Sequence, residues 1–397
     1  MTSTSDKLVF FIIVATTLAV LIAMWSFNGH WPTDTSSYNT YAIQAQAWLN
    51  GQMHVADHSH LELAHFQGKT YVSFPPFPSV IMLPFVSIFG LSTPDHFIGL
   101  FFGLLGIFFT YKLLRNFLNS IPISLFLALF ATLASNYLFL LQNGWVWFFA
   151  QTLAYTFTVM AFYFATASKR SFLLALLFLS FAVGCRPFQL IYAPIILIFM
   201  TRENLSIQQS IRSILPAVIV GVLYALYNYV RFGSIWEFGH NYLPEMTQST
   251  YGQFSLHYLT ANLQKLYSLP PIQNNGIVDY PHFNGFSIFL LNPFITLILL
   301  LLILYIIHFF ISKDKKFDQI PLIVLGFVLI HTVVICMHIT MGGWHWGNRY
   351  LIDTIPAFVL MLGMIAPKLN INWFYSIPLF AYGFTLNAIG TTLFYLR

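Results

Sequence analysis

Charged side chains are scarce in this sequence of 397 residues: only 7% are Asp, Glu, Lys or Arg, whereas 58% are hydrophobic. A soluble globular domain carries about 25% charged residues, so the composition excludes that class. The sequence also lacks the alternation of polar and apolar residues that marks an outer-membrane β-barrel. Backbone groups in lipid must then pair within helices, and we expect an all-α, multi-pass membrane protein.

Cysteine is scarce too, and neither cysteine suggests a disulfide or a metal motif. Cys185 and Cys336 lie in or beside apolar runs, so we interpret them as buried thiols. The net charge of +5 comes from basic residues in a few short loops and does not imply a nucleic-acid partner. The apolar run from Leu8 to Trp25 has no small-residue cleavage site and is too long for a signal-peptide core, so we expect a retained first helix.

Long apolar runs predict about eleven transmembrane helices within a single transmembrane domain, 1–397, without a soluble C-terminal domain. One run is broken by Gly184-Cys185-Arg186-Pro187 and is therefore counted as two short helices. The stretch from Pro75 to Gly90 has only sixteen residues and four prolines, so we expect a re-entrant or short interfacial helix there. The runs lie at 8–27, 97–114, 121–140, 148–167, 171–200, 213–230, 284–311, 320–340, 350–366 and 371–395.

The basic residues predict the orientation of the chain. If Pro75 to Gly90 does not cross, most Lys and Arg side chains fall on one side, which the positive-inside rule identifies as the cytoplasm. The opposite, external side then receives two large segments, 28–75 and 231–283. We expect a plasma (inner) membrane protein with a cytoplasmic N-terminus. The residues on the predicted cytoplasmic side are Lys7, Lys112, Arg115, Lys169, Arg170, Arg202, Arg212, Lys313, Lys315, Lys316 and Lys368.

The first external segment has the features of a reaction centre. Asp34 lies just beyond the first apolar run, and a carboxylate there suits proton chemistry on a substrate delivered from lipid. Residues 34–50 have aromatic and small residues at helical spacing, which predicts an amphipathic interfacial helix. Thr33 or Asp34 would cap its start, and Asn50-Gly51 would end it.

Histidines in the same segment raise the question of a metal. His54 and His58 are four residues apart, with Asp57 between them, so a divalent metal is a candidate cofactor. No zinc-peptidase motif is present. The alternative is that these side chains are interfacial polar groups or contact the acceptor.

Several stretches, in their order along the chain, resemble the GT-C superfamily of integral-membrane glycosyltransferases. The resemblance covers about 30–366 and is to the bacterial aminoarabinose-transferase-like and protein-mannosyltransferase-like members. The sequence departs from the family pattern because no second acid adjoins Asp34 and no C-terminal soluble domain follows. The matching stretches are the early Asp34 with a helix ending in Leu-Asn-Gly-Gln, then FQGKTYVSFPPFPSVIMLPF, NYVRFGSIWEFGHNY and GGWHWGNRYLIDTIP.

The resemblance implies transfer of a sugar from a polyprenyl-phosphate carrier to a glycolipid, polysaccharide or protein at the external face. Such an inverting transfer needs a base for the acceptor and positive charge for the leaving phosphate. We expect Asp34 to be the base, with a plain helix cap as the alternative role. Arg186, Arg349 and Lys69 are the expected phosphate contacts, although Arg349 could instead pair with Asp353 four residues later.

Aromatic and polar side chains of the external segments are the expected substrate contacts. Two Trp pairs, in QNGWVWF and GWHWG, lie at predicted external hairpins, where rings stack on a sugar or line a lipid entrance. The alternative for most aromatic residues is simple packing at the membrane. The expected contacts are Tyr38, Tyr41, Glu62, Tyr71, Trp145, Trp147, His240, Trp344, His345 and Trp346.

Other function classes remain open. A transporter or lipid flippase would share the composition, and a membrane-embedded acyltransferase would centre on a buried histidine, for which His331 is the candidate. A structural protein would not need Asp34, Arg186 and Arg349 to meet. Convergence of these three on one outward cavity is therefore the discriminating observation.

Overall fold

A computed structural model describes residues 4–29, 31–33, 36–56, 58, 62–270, 272, 282–311 and 317–396. This part of the chain is almost entirely helical, with two small antiparallel sheets, β1–β2 and β3–β4. The helices are α1 Thr4–Asn28, α2 Thr40–Leu49, α3 Phe77–Phe89, α4 Asp95–Arg115, α5 Ile121–Leu133, α6 Tyr137–Leu140, α7 Val146–Thr166, α8 Phe172–Val183, α9 Ala193–Thr201, α10 Ile207–Phe232, α11 Pro244–Thr247, α12 Leu256–Tyr267, α13 Ile288–Leu291, α14 Pro293–Ile311, α15 Ile320–Cys336, α16 Ile355–Ile365 and α17 Ile377–Tyr395. The strands are β1 Leu63–Phe66, β2 Lys69–Val72, β3 His282–Phe283 and β4 Trp344–His345.

The apolar helices confirm a polytopic, all-α membrane protein. Within the described residues, seven helices are long and apolar enough to cross a membrane, and five shorter apolar helices accompany them. One of the five shorter helices is the proline-rich α3. The remaining eleven of these twelve apolar helices correspond to the predicted spans.

The predicted break after α8 is confirmed. α8 ends at Val183, and a 3-10 turn, Pro187–Tyr192, leads into α9. Because Pro187 disfavours helical backbone at the preceding residue, Arg186 is extended, with φ −143° and ψ 108°. The break therefore presents a charged side chain at the end of two apolar helices.

Helix α3 returns toward α2 instead of leaving it. In its first turn Ser79 donates to Gln44 of α2 (2.7 Å), and just beyond its end Leu91 O accepts from Asn39 at the start of α2 (3.5 Å). The next helix, α4, begins at Asp95, close to the same segment. Both ends of α3 thus lie beside α2, as a re-entrant or interfacial helix requires.

The first external segment contains the predicted helix, but the helix starts later and is more buried. α2 begins at Thr40, so the prediction of a cap at Thr33 or Asp34 is wrong; Asn39 precedes it without a side-chain cap bond. Ser36 explains the delay, because its hydroxyl accepts the Tyr38 N–H (2.9 Å) and stabilises a turn. The end at Asn50 is confirmed, and seven of the ten helical residues are buried, chiefly against α3.

A β-hairpin follows in the same segment. β1 and β2 pair from Leu63 opposite Val72 to Phe66 opposite Lys69. The two connecting residues, Gln67 and Gly68, both have positive φ (50° and 73°), which matches the twist of a tight two-residue hairpin turn.

The second large segment is folded onto the chain that follows α15. Asn262 of α12 donates to Cys336 O (3.0 Å) and His338 O (2.8 Å), and Ser255 N donates to Met337 O (2.9 Å). The loop after α15 is therefore covered by α12.

Helices α4 and α7 form the centre of the bundle, and small residues bring them together. A side chain at Gly106 would place its Cβ 2.7 Å from the Thr156 hydroxyl and 2.6 Å from the Tyr137 hydroxyl. This close approach is typical of packed membrane helices. It holds α7, whose first turns carry several of the residues discussed below.

Basic residues gather at one end of the bundle. Lys112 at the end of α4 pairs with Asp6 at the start of α1 (2.8 Å), and Arg202 after α9 lies 3.5 Å from Asp318 before α15. Arg186 lies at the opposite end of α8 from the loop that precedes that helix. The segregation agrees with the predicted topology, and the assignment of the basic end to the cytoplasm stays a prediction.

Candidate active site

Three chain segments meet at the end of the bundle that carries Arg186. They are the break after α8, the first two turns of α7, and a 3-10 turn, Arg349–Thr354, that leads into α16. Polar side chains from these segments contact one another inside the protein.

Arg186 and Asp353 form an ion pair, with 2.5 Å between Nε and Oδ2. The Asp353 side chain is 0% exposed and that of Arg186 is 15% exposed. Gln151 of α7 donates to the other carboxylate oxygen, Oδ1 (2.9 Å), so both oxygens of Asp353 are occupied. The charge of Arg186 is therefore compensated within the protein.

Arg349 differs from Arg186 because it has no carboxylate at ion-pair distance in the described part of the chain. The alternative prediction of an Arg349–Asp353 bridge is wrong, since Asp353 pairs with Arg186. Arg349 is 3% exposed, and its Nε and Nη2 donate to Gly342 O (3.1 and 3.0 Å). Its buried Nη1 has no hydrogen-bond partner in the part of the chain that the structure describes. A buried guanidinium in this state favours an anion beside it.

The ring of Tyr350 contacts both arginines. The guanidinium carbon of Arg186 is 4.9 Å from the ring centroid and that of Arg349 is 5.0 Å from it. Phe148 covers Arg349 from α7, with 5.1 Å from the guanidinium carbon to its centroid. Cation–π contacts thus hold both guanidinium groups in the same site.

Gly342 makes this arrangement sterically feasible. Its φ is +107°, and a Cβ there would lie 3.0 Å from Arg349 Nε and 3.0 Å from the Tyr350 ring. Only glycine adopts this backbone without strain and leaves the carbonyl close to the guanidinium.

Glu62 enters the site from the residue before β1. Trp147 Nε1 donates to its Oε1 (2.6 Å), and its backbone oxygen accepts from Ser73 N (3.2 Å). Burial raises the pKa of Glu62, while the nearby charges of His240 and Arg349 and the Trp147 hydrogen bond oppose that rise. The carboxyl group therefore belongs electrostatically to the same site as Arg349.

His240 and aromatic rings form one wall of the site. His240 Nδ1 donates to Ser73 O (2.6 Å), and its ring lies 5.3 Å from the ring of Phe74. Tyr41 of α2 packs on Phe74 at 5.9 Å between centroids. These contacts position the first external segment against the second.

A second aromatic group lies where α7 begins. The Tyr38 ring is 5.2 Å from the ring of Trp145 and 5.0 Å from that of Trp147. Since Trp147 also holds Glu62, this group adjoins the charged site.

The predicted contacts in the last loop have different positions. Trp344 is exposed and packs edge-on against Phe283 (5.3 Å). His345 is fully buried, and burial together with the charge of Arg349 lowers its pKa to about 3. Trp346 is also buried, 5.1 Å from Phe286, so both side chains lie inside the protein, and their contact with a substrate stays a prediction.

Lys69 and Tyr71 lie on the hairpin. Lys69 is exposed beside the turn and makes no ion pair within the described residues. Tyr71 is buried against Phe232, 5.2 Å away. Neither contacts the two-arginine site directly.

The remaining predictions concern the first loop. Asp34 and Asp57 lie outside the described residues; Ser36, two residues after Asp34, is held by the Asp95 carboxylate, which accepts its N–H (3.2 Å). Across the described residues, no three His, Cys, Asp or Glu side chains form a metal-binding group, and this includes His54 and His58.

Sequence reasoning missed Gln151, Tyr350 and the role of Asp353. A signal was available, because Gln151 and Asp353 are polar residues inside otherwise apolar runs, where such residues need a partner. Gln151 bonds both Asp353 and the backbone oxygen of Arg349 (2.7 Å).

Comparison with known proteins supports the architecture. No protein-family profile and no curated protein sequence matches this chain. The crystal structure of ArnT from Cupriavidus metallidurans bound to undecaprenyl phosphate is similar, with a TM-score of 0.51 and 12% identity, over 99% of this chain and 76% of that one. The apo structure of the same protein gives a TM-score of 0.48 at 12% identity, over 96% and 75% of the two chains. The likeness to the bound structure shows that this chain shares the fold of ArnT.

Proposed function

We propose that this chain, which has the GT-C fold of ArnT, is a glycosyltransferase that moves a sugar from a polyprenyl-phosphate donor to a lipid or glycan acceptor. The reaction would occur at the external face of the plasma membrane. The observation that carries the proposal is the buried Arg349, whose Nη1 has no partner among the described residues and whose guanidinium shares the Tyr350 ring with a second arginine, Arg186. The similar ArnT structure is bound to undecaprenyl phosphate, a lipid of the donor's chemical class.

The two arginines have different roles in this proposal. Arg349 contacts the donor phosphate, because it has an unused donor and no carboxylate partner within the described residues. Arg186 is already paired with Asp353 and adds positive potential through space. The sequence predicted phosphate contact for both arginines, whereas in this proposal only Arg349 makes the contact and Arg186 acts through its charge.

The transfer requires a base as well as phosphate stabilisation. Asp34 takes the proton of the acceptor hydroxyl as the hydroxyl oxygen bonds to the anomeric carbon. The bond between the anomeric carbon and the phosphate oxygen breaks at the same time, and its electron pair remains on the phosphate. Asp34 is proposed from its place in the sequence, two residues before Ser36, which is fixed to Asp95. Tyr38 and Trp145 supply aromatic surface for the sugar or the carrier.

The experiment is a carrier-release assay with purified protein and defined polyprenyl-phosphate sugars. We expect Arg349→Gln and Asp34→Asn to lose turnover, while Arg202→Gln, a matched change at the basic end, keeps it. Turnover by Asp34→Asn equal to wild type would eliminate Asp34 as the base. Lipid translocation without carrier release from any donor would favour the transporter alternative.

A further inference from the structure

We infer that Glu62 is a second acid–base group of this site, which in its protonated form faces the donor phosphate at Arg349 and gives its proton to the leaving phosphate oxygen. The inference rests on the proposed function, and it assigns Glu62 a role beyond simple substrate contact.

The position of the Glu62 carboxyl group leaves one of its oxygens available to a ligand. Trp147 Nε1 occupies one oxygen, Oε1, at 2.6 Å. The other oxygen, Oε2, has no hydrogen-bond partner in the described part of the chain and is not among the fully buried polar atoms. Trp147 thus holds the side chain by one oxygen and leaves the second available to a bound molecule.

The backbone of Glu62 adopts a strained conformation. Its φ is +76°, a left-handed conformation that glycine or asparagine adopts more easily than glutamate. The Ser73 N–H to Glu62 O bond (3.2 Å) at the open end of the β1–β2 hairpin maintains this conformation. A glutamate in a strained position, bonded to the half-buried Trp147, indicates that its carboxyl group has a function there.

The charges around Glu62 couple its protonation to the charge at Arg349. Among the described residues, the charged groups that act on it come from different elements: His240 precedes α11, Glu245 lies in α11, and Arg349 begins the 3-10 turn before α16. Burial and Glu245 raise the pKa of Glu62, whereas His240 and Arg349 lower it. A phosphate bound at Arg349 would offset the positive charge there, so donor binding favours the protonated carboxyl.

The proposed step conserves protons and electrons. The acceptor oxygen supplies the electron pair of the new bond to the anomeric carbon. As the bond from the anomeric carbon to the phosphate oxygen breaks, its electron pair stays on the phosphate, and the Glu62 O–H proton moves to a phosphate oxygen. Glu62 is then a carboxylate facing Arg349 and His240, which stabilise its charge. The acceptor's proton rests on the base and returns to Glu62 through solvent before the next turnover, so no other reactant is consumed.

The test compares Glu62→Gln with Glu245→Gln, which removes an exposed carboxylate from the same surroundings. Glutamine still accepts the Trp147 hydrogen bond and donates to phosphate, but it cannot release a proton. We expect Glu62→Gln to bind polyprenyl phosphate within about threefold of wild type, while kcat falls about 10²- to 10⁴-fold, the usual contribution of a general acid or base. The loss of rate at high pH, where wild-type Glu62 is ionised, should disappear in Glu62→Gln. Glu245→Gln should keep the wild-type kcat at low pH and should keep the loss at high pH, moved to lower pH because Glu245 raises the pKa of Glu62.

Three results distinguish a failure of the inference about Glu62 from a failure of the proposed function. If wild-type protein releases carrier and Glu62→Gln retains both its kcat and its pH profile, the inference is overturned while the proposed function stands. If Glu62→Gln raises KM with kcat unchanged, Glu62 is only a binding group and the inference is also overturned. If wild-type protein releases carrier from no donor, the proposed function itself fails; binding of polyprenyl phosphate shows that each variant is folded.

Discussion

Asp353→Asn tests whether the site depends on a compensated buried charge. The change keeps the shape of the side chain and an oxygen for Gln151, but removes the negative charge next to Arg186. Removing one partner of a buried ion pair costs about 3–5 kcal/mol of folding free energy, because the other charge stays buried without compensation. Arg186 is 15% exposed and keeps its contact with the Tyr350 ring. We therefore expect a loss of folding free energy at the lower end of that range, about 3 kcal/mol.

The assay is unfolding of the purified protein in mixed micelles with increasing SDS, followed by circular dichroism. Three variants complete a double-mutant cycle: Asp353→Asn, Arg186→Met, and both together. We expect the double variant to recover most of the stability lost by Asp353→Asn, since no charge is then left unpaired, and the coupling free energy to exceed about 1 kcal/mol. Unfolding of Asp353→Asn at the wild-type SDS fraction, or strictly additive losses, would refute the reasoning.

Four further predictions follow from the same contacts. Arg349→Gln should weaken polyprenyl phosphate binding by about 2 kcal/mol or more without lowering resistance to SDS, as a lipid-binding assay on folded protein would show, and unchanged affinity would contradict the role of Arg349. Gly342→Ala should destabilise by about 1–3 kcal/mol and also weaken that binding, because its φ is +107° and its Cβ would meet the guanidinium. Gly106→Ala should cost about 1–3 kcal/mol in the same unfolding assay by separating α4 from α7, yet leave binding per folded molecule intact. Since burial raises the pKa of Glu62 on folding, its contribution to stability is present at low pH and is lost as pH rises through the folded-state pKa. The stability of Glu62→Gln should therefore fall less with rising pH than that of wild type; parallel pH curves would argue against this.

Apolar runs and proline positions predicted most of the fold. The eleven spans, the break at Pro187 and the return of the proline-rich helix all follow from helix length and from the missing N–H of proline. The start of α2 was missed because Ser36 stabilises a local turn whose strength depends on a distant partner, Asp95. Long-range contacts of this kind are not visible in a single sequence.

The arginine pairing shows where sequence spacing misleads. Asp353 is four residues after Arg349, which would place the two on one face of an α-helix. The chain forms a 3-10 turn there, with about three residues per turn, so residues four apart diverge. Arg186, 167 positions away in the sequence, takes the carboxylate instead. The positive φ of Glu62 was equally beyond prediction, because glutamate gives no sequence signal for it.

Gln151 has a mechanical consequence for the site. One amide group joins α7 to both the backbone oxygen of Arg349 and the carboxylate of Asp353, so these segments must move as one unit. Glu62 belongs to a different unit, since its backbone bonds to the hairpin side and only its side chain reaches α7, through Trp147. A displacement of the hairpin would therefore change the separation between the Glu62 carboxyl group and the Arg349 guanidinium, while the ion pair of Arg186 stays intact.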